Sequence, residues 1–219
     1  MRALSGLRYA RITLFYFLMK PFSTRMRRRR MMEFCKVMEI RPGLAVLDLG
    51  GQPVIWDSVA EKLNITILNL PGIAHAAYPS HHNIDYVEGD ACNIDGLDAK
   101  HFDIVFSNSV IEHVGDAGYR REFSREVRRL GSAYWIQTPS KFFPIEAHNG
   151  MPFWWFYPPG LRRFFIERWR KKLPDWTQMV EGTDVISKAE LQGLFPEAKM
   201  HVERLFGLPK SYIAVWKSN

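Results

Sequence analysis

Short apolar runs alternate with longer, more polar segments through most of this chain. Five such runs lie at residues 44–49, 65–69, 84–88, 102–106 and 133–137. The intervening segments at 55–63 and 119–130 have helical character, and the second carries a narrow apolar stripe on a charged helix. Buried strands that alternate with helices predict a parallel sheet with helices packed on both faces.

The C-terminal part of the chain has a different pattern. Ser187 is a plausible cap for a short helix over 188–194. Two apolar runs follow, at 198–205 and 212–216, and the turn between them is too short to hold a helix. They therefore predict an antiparallel hairpin. The expected fold is an α/β three-layer sandwich, with a mostly parallel seven-stranded sheet and an antiparallel C-terminal hairpin.

Positive charge is concentrated at the N-terminus. The net charge of the 219 residues is +7, yet residues 1–41 hold eleven of the 30 basic and two of the 23 acidic residues. The remaining nineteen basic and twenty-one acidic residues leave residues 42–219 near neutral. We expect a basic amphipathic arm over 1–41 followed by one domain over 42–219. Binding of nucleic acid across the whole surface is not expected from this distribution.

The arm contains an apolar stretch at 12–19 that is far short of the roughly 20 residues needed to span a bilayer. Ser23 is a plausible N-cap for the helix that follows. Apolar side chains recur on that helix at helical spacing, at Met31, Phe34, Val37 and Met38. The helix could pack one face on the domain, contact an anionic membrane surface through residues 1–30, or contact RNA.

The first predicted strand ends in an unusual glycine turn, Asp48-Leu-Gly-Gly-Gln-Pro53. Open α/β sheets hold nucleotide-like ligands at such a turn. A dinucleotide fingerprint needs Gly-x-Gly-x-x-Gly, and the run from Gly50 has neither the second nor the third of these glycines. A nicotinamide-dependent oxidoreductase is therefore the least favoured alternative.

Four features in a fixed order carry a family resemblance: the turn at 48–53, Asn69, Gly89-Asp-Ala-Cys92, and the run 103–114. That last run reads Asp-Ile-Val-Phe-Ser-Asn-Ser-Val-Ile-Glu-His-Val. Together they resemble the class I S-adenosylmethionine-dependent methyltransferases over roughly residues 40–216. The resemblance implies S-adenosyl-L-methionine as the cofactor.

The resemblance also implies roles for individual residues. Cofactor binding is expected from Asp48, Gly50 and Gly51 at the methionine part, Asn69 at the ribose, Asp90 and Ala91 at the adenine, Ser107 and Asn108 beside the methyl-transfer position, and His113 at a helix start near the cofactor. Gln52 and Val54 stand where the family usually has glycines, which permit positive φ and close backbone approach. The alternative is a degenerate methyltransferase-fold domain that binds a membrane surface.

The segment 138–186 is expected to form the acceptor site, because loops after the carboxyl ends of strands lie over the ligand crevice. It is rich in proline and aromatic residues, and it resembles the segment found there in methyltransferases of bacterial surface polysaccharides. His148 is the expected general base, with Glu146 orienting it or acting instead. The alternative is that both side chains only anchor the loop. The aromatic run 153–157 is either an acceptor platform or core.

The expected reaction is O-methylation of a small-molecule or glycan-like acceptor. Cys35 and Cys92 are expected to be thiols in a reducing compartment. A structural zinc site is excluded because no Cys/His quartet has ligand spacing, and no metal is predicted. The expected location is cytoplasmic, with peripheral contact at the inner face of the membrane through the arm.

Overall fold

A seven-stranded sheet forms the centre of the protein. The computed structural model describes residues 10–73, 78–146 and 148–217. The strand order is β3-β2-β1-β4-β5-β7-β6; β1 to β5 are parallel, and β7 runs antiparallel to both β5 and β6. The strands are β1 (Ala45–Leu49), β2 (Asn64–Asn69), β3 (Asn83–Glu88), β4 (Phe102–Asn108), β5 (Gly131–Pro139), β6 (Lys199–Leu205) and β7 (Leu208–Lys217). The predicted fold class and C-terminal hairpin are confirmed.

Helices cover both faces of this sheet. They are α1 (Ala10–Met38), α2 (Ala117–Leu130), α3 (Pro159–Arg170), α4 (Pro174–Glu181) and α5 (Lys188–Leu194). The second half of α1 packs on one face, where Phe34 contacts Phe106 and Trp135 edge to face. On the other face α2 and α5 bury Phe123 and Leu191 against the sheet. The three layers place the carboxyl ends of all the parallel strands along one edge.

The predicted start of α1 is wrong. The chain is already helical at Ala10, and the helix continues through Pro21 and Ser23. The Ser23 hydroxyl donates to the carbonyl of Lys20 within the helix instead of capping a new one. The predicted apolar face is buried at Met31, Phe34 and Met38. Among the described residues, none of the helices combines the length and apolarity needed to cross a membrane.

The predicted helix at 55–63 is also wrong. A single 3-10 turn, Pro53–Ser58, forms there, and the backbone N–H of Val59 closes it on the carbonyl of Trp56. Trp56 turns inward and is completely buried against the sheet and α1. Only five residues then separate this turn from Asn64, the first residue of β2, so a helix of ordinary length does not fit.

The helices α3 and α4 form a small cluster of their own. Trp154, Trp169 and Val180 are buried together in this cluster. Of the aromatic run 153–157, Trp154 is therefore core, whereas Phe153 and Phe156 are exposed. The cluster supports the loop that follows β5.

Candidate functional site

The turn after β1 requires glycine at two successive positions. Gly50 has φ +70°, and a Cβ there would lie 2.6 Å from Val110 Cγ2. A Cβ on Gly51 would lie 1.8 Å from Asp48 Oδ2. By contrast Gln52, at the position where the family usually has its next glycine, is extended, with φ −131°. Because this conformation is open to any residue, the missing glycine does not disrupt the turn.

Asp48 supports the turn from below. Its buried carboxylate accepts a hydrogen bond from Trp56 Nε1 at 2.9 Å. Burial raises the pKa of Asp48 to about 7, although the bond from Trp56 works in the opposite direction. Asn69, at the end of β2, donates from Nδ2 to the carbonyl of Gly51 at 3.1 Å. Asn69 thus holds the backbone of the turn, whereas Asp48 holds Trp56 of the 3-10 helix that follows the turn.

A cleft of about 350 Å³ lies beside this turn. Its lining includes five of the predicted cofactor residues: Gly50, Asn69, Asp90, Ala91 and His113. The other four lie outside the lining. Asp48 and Gly51 shape the turn, and the hydroxyl of Ser107 donates to the carbonyl of Leu49 at 3.4 Å. Asn108 faces a second cavity.

That second cavity, of about 320 Å³, lies between α1, the loop after β5 and the β6–β7 hairpin. Its lining includes Arg30, Asn108, Glu146, Trp155 and Lys210. Ser109 belongs to the lining of both cavities and has φ +60°, an unusual conformation for a serine. Non-glycine residues with positive φ cluster at ligand sites. Because Ser109 lines both cavities, the two cavities meet at this residue.

Arg30 is a site residue that the sequence reasoning missed. Its guanidinium is buried, donates to Gln137 Oε1 at 3.0 Å and to Asn108 Oδ1, and pairs with Glu203 Oε2 at 2.6 Å. Arg30 is the last of four consecutive arginines, residues 27–30, and the charge pattern alone does not distinguish it from the other three. The signal that could have found it is its position four residues after Met26 and four before Phe34, which places it on the buried face of α1.

Glu203 and the half-buried Lys210 complete this charge cluster. Burial alone would raise the pKa of Glu203, but Arg30 and Lys210 outweigh it, and the pKa is lowered. Burial and the neighbouring charge of Arg30 lower the pKa of Lys210. Both hairpin residues come from sequence far from any recognised motif.

A hydrogen-bonded chain of three side chains links the two cavities. His148 Nδ1 lies 2.7 Å from Glu146 Oε1, and His148 Nε2 lies 3.2 Å from His113 Nε2. The other carboxylate oxygen of Glu146 accepts the backbone N–H groups of His148 and Asn149, each at 2.7 Å. This fixes the buried Glu146 in the loop. The predicted pairing of Glu146 with His148 is present.

The two imidazoles have opposite pKa shifts. Burial, and then the neighbouring His148, lower the pKa of His113 to about 4. Burial would lower the pKa of His148 as well, but its bond to Glu146 and the charge of that residue raise it on balance. His148 is therefore the more basic imidazole of the two.

Glu112 lies beside these histidines and is completely buried. The Thr138 hydroxyl donates to Glu112 Oε2 at 3.1 Å, and Oε1 has no hydrogen-bond partner among the described residues. Burial raises the pKa of Glu112 to about 7. One ligand atom from each of Glu112, His113 and His148 can be chosen so that all lie within 4.8 Å of one another.

Comparison with known proteins relates one segment of the chain to a family. Residues 67–133, from β2 to the beginning of β5, match the family described as "Methyltransferase domain". This is the segment that holds Asn69, Asp90 and the Glu112-His113 pair. The match covers 67 of the 219 residues, and it supports S-adenosylmethionine-dependent methyl transfer as the activity. No curated protein matches the sequence of this chain.

Solved structures share its fold at low sequence identity. A proposed S-adenosyl-L-methionine-dependent methyltransferase of Methanococcus maripaludis is 16% identical, with a TM-score of 0.52 over 100% of this chain and 98% of that one. An O-methyltransferase family protein of Burkholderia thailandensis is 15% identical, with a TM-score of 0.51 over 96% and 60%. A proposed Zn-dependent alcohol dehydrogenase of Rhodobacter sphaeroides is 12% identical, with a TM-score of 0.55 over 82% and 86%. At these identities the likeness is one of fold alone.

The cleft beside β1 fits S-adenosylmethionine, the cofactor that the family match implies. Gly50 lines this cleft, and because it has no side chain its backbone is accessible there. Asn69 and Asp90 lie along the same cleft, at the ends of β2 and β3. Neither the nicotinamide alternative nor the degenerate-domain alternative gains support from the fold or the family match.

Proposed function

We propose that this methyltransferase methylates a hydroxyl group of a small-molecule or glycan-like acceptor. The observation that carries the proposal is the junction of the two cavities. His113 lines the cofactor cleft, Glu146 lines the acceptor cavity, and His148 bonds to both. A proton-accepting group thus lies where methyl donor and acceptor would meet.

The reaction is an in-line displacement in which S-adenosylmethionine supplies the methyl carbon. The attacking oxygen must lose its proton as the new bond forms, and an imidazole is suited to receive it. We infer that His148 receives this proton, and that Glu146 holds the ring and stabilises its charged form. Most of the rate enhancement would come from holding the two reactants in line.

The lining of the acceptor cavity supports a polar, hydroxyl-rich acceptor. Trp155 offers an aromatic face of the kind on which sugar rings stack. The hydroxyl groups of Ser140 and Ser211, which donate to Tyr212 and Glu203, can accept hydrogen bonds, and the charged groups of Arg30 and Lys210 also line the cavity. A cavity of about 320 Å³ suits a single small molecule or a terminal sugar of a glycan.

The test is an analysis of where the methyl group goes. The enzyme is incubated with methyl-labelled S-adenosylmethionine and matched pairs of monosaccharides that differ only in a hydroxyl or an amino group. We expect label in alkali-stable methyl ethers of the hydroxyl sugars. Transfer only to the amino sugars, or no transfer to either while the cofactor binds, would contradict the proposal.

We further propose a peripheral membrane contact through the first half of α1. Leu14 and Phe17 are exposed there, at 56% and 72%, and the exposed Arg25, Arg27, Arg28 and Arg29 follow them. An exposed apolar pair beside a basic cluster is typical of helices at anionic lipid surfaces.

Co-sedimentation with anionic and with neutral vesicles tests this membrane contact. Binding to the anionic vesicles should fall in a Leu14→Ser, Phe17→Ser variant, and equal binding to both vesicle types would contradict the proposal.

A further inference from the structure

We propose that Glu112, His113 and His148 form a binding site for one divalent transition-metal ion at the junction of the two cavities. This inference deepens the proposed function, and it rests on that function only for its role in catalysis. The site contains two imidazoles and one carboxylate, a ligand set that proteins use for catalytic zinc and related ions with an open coordination position.

The approach of the two imidazoles is the first observation. His113 Nε2 and His148 Nε2 lie 3.2 Å apart. Two nitrogens that bind one zinc ion tetrahedrally at about 2.0–2.1 Å lie about 3.3 Å from each other. The pair therefore already has the separation that a shared metal ion imposes. Without a metal, one ring must donate its proton to the other at this contact.

The carboxylate of Glu112 is the second observation. It is completely buried, and its Oε1 atom has no hydrogen-bond partner among the described residues. A buried oxygen without a partner is unfavourable, and a metal ion would supply the missing partner. The ligand atoms of the three side chains all lie within 4.8 Å of one another. Small rotations of these side chains would therefore bring all three atoms to binding distance of one ion.

The outer hydrogen bonds of the two histidines are the third observation. Ligating histidines usually donate their other ring N–H to a carboxylate or another oxygen, which fixes the tautomer that binds the metal. His148 Nδ1 lies 2.7 Å from Glu146 Oε1, and His113 Nδ1 lies 3.4 Å from the Thr183 hydroxyl. Both rings thus direct Nε2 towards the same point.

The ion would change how the acceptor is activated. A divalent cation lowers the pKa of a hydroxyl placed against it. The C–O bond would then form as the S–C bond breaks, and the hydroxyl proton would leave to water. His148 Nε2 then binds the metal instead of accepting the proton, so the role inferred for His148 in the proposed function belongs to the metal-free enzyme. Glu146 is a positioning residue that orients the ring in both forms.

Metal binding is tested directly with Co²⁺ as the spectroscopic probe. Protein freed of metal by a chelator is titrated with Co²⁺, and the visible ligand-field absorption is recorded. We expect one Co²⁺ per chain, displaced by Zn²⁺, and loss of this signal in His113→Ala. Glu146→Gln should retain the site with an affinity weaker by about 10–100-fold. The matched control is His101→Ala, which removes an exposed imidazole outside the site.

A second readout guards against variants that fail to fold. Zn²⁺ should raise the Tm of the wild-type protein in a concentration-dependent manner, because a ligand that binds the native state stabilises it. Wild-type protein that shows neither the Co²⁺ signal nor the Tm shift would overturn the site. So would a signal that His113→Ala retains in full.

The same preparations separate this inference from the proposed function. Methyl transfer that continues unchanged after chelation, with no Co²⁺ bound, would overturn the metal site and leave O-methylation standing. Stoichiometric Co²⁺ binding without transfer to any hydroxyl acceptor would support the site and contradict the proposed function.

Discussion

The cofactor side and the acceptor side of this site are built in different ways. On the cofactor side, the ligand-facing residues come from consecutive strand ends in one stretch of chain, from Gly50 to His113. On the acceptor side, Arg30 of α1, Glu146 of the loop and Lys210 of the hairpin come from three distant segments. A local motif can encode the first side, whereas only the folded sheet assembles the second.

The comparison also separates two uses of buried charge. On the cofactor side Asp48 is a lone carboxylate whose pKa burial raises to about 7. On the acceptor side Arg30 and Glu203 are buried as a pair, and the pKa of the glutamate is lowered. The acceptor side should therefore lose stability when one partner is removed, whereas the cofactor side should respond to pH.

The largest expected effect is that of His148→Ala on turnover. Removal of the imidazole should lower kcat by about 10²–10⁴-fold, the usual contribution of a positioned acid–base group. The affinity for S-adenosylmethionine should be unchanged, because His148 is absent from the lining of the cofactor cleft. Methyl-transfer kinetics and calorimetric titration measure the two quantities. Unchanged turnover would exclude His148 from the mechanism.

The next effect concerns the pH dependence of stability through Asp48. The pKa of this acid is about 7 in the folded protein, above its ordinary value of 3.8, so the folded state favours the protonated form. Its cost to stability is absent below about pH 4 and grows until about pH 7. Because a tenfold change in the protonation equilibrium corresponds to about 1.4 kcal/mol, this cost reaches about 4 kcal/mol at most.

Asp48→Asn retains an acceptor for Trp56 and removes this titration. The free energy of unfolding of the variant, relative to the wild type, should therefore rise between pH 4 and pH 7 and stay level above that. Urea denaturation of the cofactor-free proteins measures the difference. A difference that does not vary with pH would show that Asp48 keeps an ordinary pKa.

Arg30→Met should destabilise the protein by about 3 kcal/mol, near the lower end of the range for breaking a buried ion pair. The lower end is expected because Glu203 keeps Lys210 at 3.6 Å. Arg28→Met, which removes an exposed arginine from the same helix, should change stability by less than about 0.5 kcal/mol. Equal effects of the two variants in chemical denaturation would refute the buried role of Arg30.

The smallest of these effects is expected for Gly51→Ala. The added methyl group would overlap the buried Asp48 carboxylate, and overpacking of this kind costs about 1–3 kcal/mol. Since the turn must shift, the affinity for S-adenosylmethionine should fall by about tenfold or more. Gly160→Ala is the control, because a Cβ there meets no atom of the described residues within 4 Å. Equal cofactor affinity in both variants would contradict the role of the turn.

The sequence predicted the sheet well because its central strands, β1, β2, β4 and β5, are mostly buried and read as apolar runs. It failed at 55–63, where Trp56 is drawn inward by Asp48 and the sheet, a tertiary contact that helical spacing does not reveal. It also failed at Ser23, whose capping chemistry is overridden because α1 is already helical at Ala10.

As with the fold, part of the candidate site could be predicted from the sequence and part could not. Gly50, Asn69, Asp90, Ala91 and His113 lie in one cleft as expected, and Glu146 pairs with His148. Arg30 was missed because one buried arginine looks like its exposed neighbours until the helix face is known. The grouping of Glu112 and His113 with His148 was missed because His148 follows His113 by 35 residues and meets the pair only in the folded structure.

Calorimetric titration with S-adenosylmethionine tests the central claim most directly, namely that the cleft beside β1 binds the cofactor of a methyltransferase. We predict one cofactor per chain for the wild type, for Gly160→Ala and for His148→Ala, and a markedly weaker affinity for Gly51→Ala. Absence of detectable binding to the wild type at about 1 mM cofactor, a concentration that detects even weak ligands, would contradict the account.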